Sequence, residues 1–185
     1  ADNLELFQMN DELTKKNQLL TQNLDSANVK INKQIAKNDT LAIQNMKLGE
    51  KVAIGSILKV NSAKVLAMRE KSNGKLVETS RSKNTDAFRI NFTIEQNAIA
   101  EQGERSVYIQ VLDIQGNTLG SKGELTLLDG TNISYSDRTL VDYLNQDIAI
   151  ISLVEVNSDN IKKGVYTVNV YIDNLLAGVS TVTLK

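Results

Sequence analysis

The side chains best equipped for chemistry in this chain are carboxylates and amides, because its 185 residues include no His and no Cys. The missing types remove the usual general base and the commonest transition-metal ligand. Disulfides, thiolate metal sites and Cys nucleophiles go with them. A carboxylate pair is the main remaining route to acid–base work. Glu95 and Glu101 come nearest, yet one lies in an alternating segment and the other in the loop-like "NAIAEQGE", and no spacing forces them together. Asp137, Asp142, Asp147 and Asp159 are loosely scattered, and "NSDN" at 157–160 offers oxygens without the spacing of a calcium loop. No nucleophile elbow, Walker motif or dinucleotide-binding glycine pattern occurs. The expectation is a protein that is not an enzyme and takes no cofactor and no metal.

Asn offers a different chemistry, self-recognition. Between Leu4 and Leu48 there is no Gly and no Pro, and Asn recurs at regular intervals. Counting in sevens from Leu6 gives Leu6, Leu13, Leu20, Ala27, Gln34, Leu41 and Leu48; four residues after the first six stand Asn10, Asn17, Leu24, Ile31, Asn38 and Asn45. With the first row as d and the second as a, this spacing predicts a left-handed coiled coil and an oligomer interface on those residues. A buried Asn at a bonds its counterpart in a parallel, in-register partner; other registers leave the amide against hydrocarbon. A parallel homodimer is favoured, with a trimer as the alternative. Two competing explanations stand beside this one. Asn is abundant throughout the chain, and Asn23, Asn28 and Asn32 lie off the seam. Phe7, Leu19, Val29, Ile35, Ile43 and Met46 also lie off it and could pack the helix against the rest of the chain.

Such a helix must be long. It is expected over residues 1–55, with Gly49 and Gly55 bracketing its end. Beyond it, over 56–185, the apolar period changes to two. "AFRINFTIEQ" alternates Phe88, Ile90, Phe92 and Ile94 with polar residues; "SVYIQVLDI" and "VYTVNVYI" repeat the pattern. Turn signals at Ser72-Asn73-Gly74, Gln115-Gly116-Asn117, Asp129-Gly130 and Asp173-Asn174 divide the runs. Strands are expected at about 57–70, 75–80, 87–96, 105–114, 124–128, 131–142, 148–156, 165–172 and 175–184. The predicted fold is a long N-terminal α-helix followed by an all-β antiparallel Ig-like sandwich.

Charge is uneven within the β region. Lys59 to Arg89 holds eight basic residues against three acidic, while 90–185 holds six basic and twelve acidic. Lys64, Arg69, Lys71, Lys75, Arg81 and Lys83 form a candidate patch for an anionic partner, although a Lys-protected edge hairpin is favoured. No aromatic lies between Lys59 and Ala87, so the stacking platforms of single-strand binders are missing and no nucleic-acid partner is expected.

"IKKGVYTVNVYI" resembles the corner of fibronectin type III and immunoglobulin-like domains, with Ile161, Gly164 and Tyr166 in its places; the family's usual Pro, core Trp and Cys pair are absent. The resemblance implies that the Tyr166 phenol bonds back to nearby backbone while its ring enters the core. Over its whole length the chain resembles Bacteroidetes envelope proteins with an N-terminal membrane anchor, a coiled coil and a C-terminal sandwich. The shared residues are Gly164, Tyr166, Val168, Asp173 and Gly178, in a "G-x-Y-x-V…D-x-x-x-x-G" hairpin, together with "FTIEQNAIAEQGERSVYIQVLD". That resemblance implies an extracytoplasmic protein, in the periplasm or at the cell surface, that meets the membrane only through an anchor preceding Ala1.

The function expected is structural: a coiled-coil oligomerisation stalk that presents a β-sandwich at the cell envelope to a protein or glycan partner of unknown identity. The alternative is a multivalent adhesion module binding glycan or protein, for which Tyr108, Tyr135, Tyr143 and Tyr171 are the candidate exposed aromatics.

Overall fold

The computed structural model describes residues 2–185, the side chain of Ser62 excepted. The chain divides after Ala53 into two compact units. The first is one α-helix, α1, which runs Asp2–Gly55 and continues into the start of the second. Asp2 and Glu5 sit in its first turn, where negative charge meets the positive end of the helix dipole. The helix passes Gly49 unbroken, and no residue of it is buried.

The second unit is a sandwich built from two antiparallel four-stranded sheets. The strands are β1 Val60–Glu70, β2 Leu76–Glu78, β3 Ala87–Ile94, β4 Gly103–Leu112, β5 Gly123–Thr126, β6 Asn132–Tyr135, β7 Asp137–Tyr143, β8 Ile148–Glu155, β9 Gly164–Ile172 and β10 Leu175–Leu184. One sheet has the order β2-β1-β3-β8 and the other β10-β9-β4-β7; β5 and β6 form a separate hairpin. The chain crosses between the two sheets from β3 to β4, from β7 to β8 and from β8 to β9, as in an Ig-like sandwich.

Alternation places the core. On β3, Phe88, Ile90, Phe92 and Ile94 turn inward and are at most 2% exposed; Val107, Ile109 and Val111 of β4 face them at 0%. Tyr166, Val168, Val170 and Ile172 of β9 complete the layer. The Tyr166 hydroxyl accepts from the Lys162 N–H and donates to the Lys162 carbonyl, both at 2.9 Å, while its ring meets Phe88 with centroids 5.3 Å apart. The corner seen in "IKKGVYTVNVYI" therefore forms.

One strand expectation is corrected. The run 131–142 is two strands, because Ser136 is buried at 0% and redirects the chain. Its N–H donates to the Ile109 carbonyl at 2.7 Å; its Oγ accepts from the Val111 N–H at 3.0 Å and donates to the Leu119 carbonyl at 2.5 Å. Before this residue the chain pairs with β5, and after it with β4.

Candidate interaction surfaces

On α1 the large apolar residues at the seven-residue spacing face solvent. Leu6, Leu13, Leu20, Leu24, Ile31, Leu41 and Leu48 are all open, none less than 49% exposed. The off-seam residues Phe7, Leu19, Val29, Ile35, Ile43 and Met46 are open as well. The Asn side chains of the seam differ in state. Asn38 Oδ1 accepts a long bond from Gln34 Nε2 at 3.5 Å, whereas the amides of Asn10, Asn17 and Asn45 make no hydrogen bond among the described residues. The hydroxyls nearby fold back on the helix: Thr14 donates to the Asn10 carbonyl at 2.8 Å and Thr21 to the Asn17 carbonyl at 2.9 Å. The three amides are therefore free to pair outside the helix.

Among the described residues no helix is long and apolar enough to cross a membrane, and no three carboxylates converge as a metal would require. Asp137 is engaged otherwise. It accepts from Lys122 Nζ at 2.8 Å and from Ser152 Oγ at 2.6 Å. Burial pushes its carboxyl up, but these hydrogen bonds and the lysine charge outweigh burial and hold it below the ordinary aspartate value.

A family model described as "Domain of unknown function (DUF8428)" matches residues 61–185, nearly the whole sandwich. The chain belongs to the DUF8428 family. No curated protein matches it. Similar solved structures include the alkylpurine DNA glycosylase AlkC of Pseudomonas fluorescens bound to DNA containing an abasic-site analog, at 12% identity and a TM-score of 0.38; 69% of this chain is covered and only 30% of the glycosylase. An immunoglobulin-like protein from Pseudomonas aeruginosa is similar at 10% identity and a TM-score of 0.35, covering 71% of this chain and 98% of its own.

Within the DUF8428 domain, the quoted hairpin residues have structural roles. Gly164 has φ +142°, and a Cβ there would lie 2.6 Å from Ile114 Cγ2. Asp173 and Asn174 take positive φ, 52° and 62°, closing a two-residue turn between β9 and β10. Gly178 sits at a bulge where a Cβ would come 3.0 Å from Val60 Cβ.

The candidate aromatics are mostly enclosed. Tyr143 is 0% exposed and donates to the Glu95 carbonyl at 3.0 Å; Tyr171 is 6% exposed. Tyr108 and Tyr135 are half-buried against each other with centroids 4.9 Å apart, and Arg138 lies 5.6 Å over the Tyr108 ring. Sequence reasoning missed what encloses them. Gln110 on β4 is buried and uses its whole amide: Nε2 donates to the Ser134 carbonyl at 2.9 Å and to Thr118 Oγ1 at 3.2 Å, and Oε1 accepts from Asn169 at 3.1 Å and Tyr171 at 3.3 Å. This network ties the β5–β6 hairpin over the outer face of β4 and β9. A polar residue on the outward set of "SVYIQVLDI" gave no sign of it.

The basic residues are spread over one sheet end. Arg69, Lys71 and Lys75 surround the β1–β2 turn, Arg81 and Lys83 follow it around a short 3₁₀ turn, and Lys64 lies further along β1. All six are exposed, and none forms an ion pair among the described residues.

Proposed function

We propose that this protein is a non-enzymatic structural or interaction protein in which α1 associates in parallel with copies of itself and so presents DUF8428 sandwiches together. The observation carrying this reading is the open run of Leu20, Leu24 and Ile31 on a seam whose Asn10, Asn17 and Asn45 amides make no hydrogen bond among the described residues. An isolated helix of this length leaves its apolar face in water, so a partner helix supplies the missing burial. At 1.5 Å per residue, α1 spans about 80 Å as a spacer.

Charge supports the parallel arrangement. The g row carries Lys16, Lys30, Lys37 and Lys51, while the e row carries Phe7, Thr14, Thr21, Asn28, Ile35 and Ala42, none charged. Parallel helices set g against e of the partner, so Lys30 lays its aliphatic stem along Ile35. Antiparallel helices set lysine row against lysine row and Asn against Leu. Localisation outside the cytoplasm, with an anchor ahead of the stalk, belongs to the same proposal; its support is the resemblance of the hairpin motif. Of the sandwich's partners, a protein is favoured over a glycan because the tyrosines are enclosed.

Light scattering on the full chain tests the proposal. An integer multiple of the 20.4 kDa chain mass is expected, with the dimer first. A monomer at tens of micromolar removes the stalk.

A further inference from the structure

Counted in elevens, α1 carries a second apolar pattern. Met9, Leu20, Ile31 and Ala42 form one row; Leu13, Leu24, Ile35 and Met46 form another, four residues further on. All eight are apolar, and all eight are exposed on the helix. Over the same stretch the seven-residue rows are less uniform, because Asn10, Asn17, Gln34, Asn38 and Asn45 interrupt them.

Helix geometry separates the two patterns. Eleven residues in three turns is about 3.67 per turn, a little above the 3.6 of a straight helix, so such a strip winds right-handed. At about 100° per residue the eight side chains keep within an arc of roughly 100°. A seven-residue row drifts the other way, by about 20° per heptad, and needs a left-handed coil. Leu13, Leu20, Leu24 and Ile31 lie on both patterns. Beyond Ile31 they part: one continues with Ile35, Ala42 and Met46, the other with Gln34, Asn38, Leu41 and Asn45. Turning the second set toward a partner buries three amides, whereas the first buries none, and a buried amide costs free energy wherever its bonds are incomplete.

We propose, on the basis of the parallel self-association above, that copies of α1 meet along the eleven-residue rows and wind right-handed, with Ile35 and Met46 facing the partner beyond Ile31. Length, period and charge make a second α1 the fitting occupant. From Met9 to Met46 the rows extend about 55 Å at 1.5 Å per residue. The longest strand, β1 with 11 residues, reaches about 36 Å at 3.3 Å per residue, so among the described residues α1 alone is long enough. A copy in register repeats the same period, and each layer meets its own kind, Leu20 on Leu20 and Ile31 on Ile31. Seven lysines balance seven carboxylates along α1, so a copy brings no net charge to repel.

The chain has no Cys, so single introduced thiols read the contact face in the full-length protein. Leu24→Cys lies on both patterns, Ile35→Cys and Met46→Cys on the eleven-residue rows, and Asn38→Cys and Leu41→Cys on the seven-residue rows. Disulfides close only where Cα atoms come within about 7 Å, so Leu24→Cys, Ile35→Cys and Met46→Cys are expected to form covalent dimer about tenfold faster than the other two. Equal rates at the four positions beyond Ile31, or faster dimer at Asn38 and Leu41, overturn the eleven-residue face; with Leu24→Cys still fast, parallel self-association stands. Slow oxidation at Leu24→Cys removes the parallel association and this face with it. Light scattering over a dilution series gives a second readout. Met46→Lys sets a charge in the seam and is expected to weaken association about tenfold, while Leu41→Lys changes it by less than about twofold. The reverse order overturns the proposal.

Discussion

Phe88, Ile90, Phe92 and Ile94 in the sandwich are at most 2% exposed, whereas no large apolar residue of α1 falls below 49%. Both regions carry a regular apolar period, and only one spends it within its own chain. The sandwich closes because a period of two gives each strand a face, and two sheets press those faces together. A period of seven gives the helix an apolar row that, under the proposed association, a second helix covers. Burial of apolar surface is the main stabilising contribution to folding; the sandwich buries its own, and in the proposed assembly the helix gains its burial from a partner.

The largest expected effect breaks the helical side of that contrast. Leu20→Asp with Leu24→Asp puts charge at the apolar centre of the seam. Far-UV circular dichroism is expected to lose most of the helical signal, and light scattering to fall to the single-chain mass, while the thermal transition of the sandwich stays in place. A retained helical signal in a monomeric double variant would mean that α1 needs no partner. Next comes the other side. Phe88→Ala opens a cavity at a 0% exposed site that also stacks on Tyr166, and should cost about 3–5 kcal/mol of sandwich stability by denaturant titration. Association through the seam should survive it.

The same contrast explains what was legible in the sequence. Local periodicity marks both regions, so "AFRINFTIEQ" gave its core face directly, and the helix ends at Gly55 where the glycine stood. What escaped is set by contacts between distant segments. "NISYSDRTLVDY" continues its alternation straight through Ser136, with no Gly or Pro, and the break depends on Val111 and Leu119, which lie 25 and 17 residues away. Gln110 looks like a solvent-facing strand residue until the β5–β6 hairpin covers it. Which strand ends a sheet was hidden for the same reason, since topology decides it and not the strand's own residues. The seam residues were named from spacing alone, and the structure sets them along one helix.

A smaller expected effect tests the distant contacts. Ser136→Ala strips a partner from the Val111 N–H and from the Leu119 carbonyl in a buried setting. Leaving such groups unmet costs about 1–3 kcal/mol, measured as a shift in the urea midpoint at unchanged slope. No loss would mean that Ser136 marks the crossing without holding it.

The smallest effect sharpens the contrast by pH, because the sandwich couples a titrating group to its packing. Asp137 is held below its ordinary value near 3.8 by its bonds to Lys122 and Ser152. A depressed carboxylate contributes stability that is present in full above the unfolded value and is lost as pH falls through the folded one. Asp137 therefore favours the sandwich at neutral pH and begins to lose that contribution as pH falls below about 4. Lys122→Met removes a lysine that is 59% exposed, so the change at neutral pH should stay under about 1 kcal/mol. Its sign is fixed by the linkage: the carboxyl titrates closer to its ordinary value, and the gap between wild type and variant narrows as pH drops from 7 to 3. Asp113 and Asp129 are also held low, by turn hydrogen bonds that Lys122 does not touch, and they cancel in the difference. Urea titrations of both proteins across that range provide the measurement. A gap that stays constant with pH would mean that the Lys122 contact contributes nothing through the charge of Asp137.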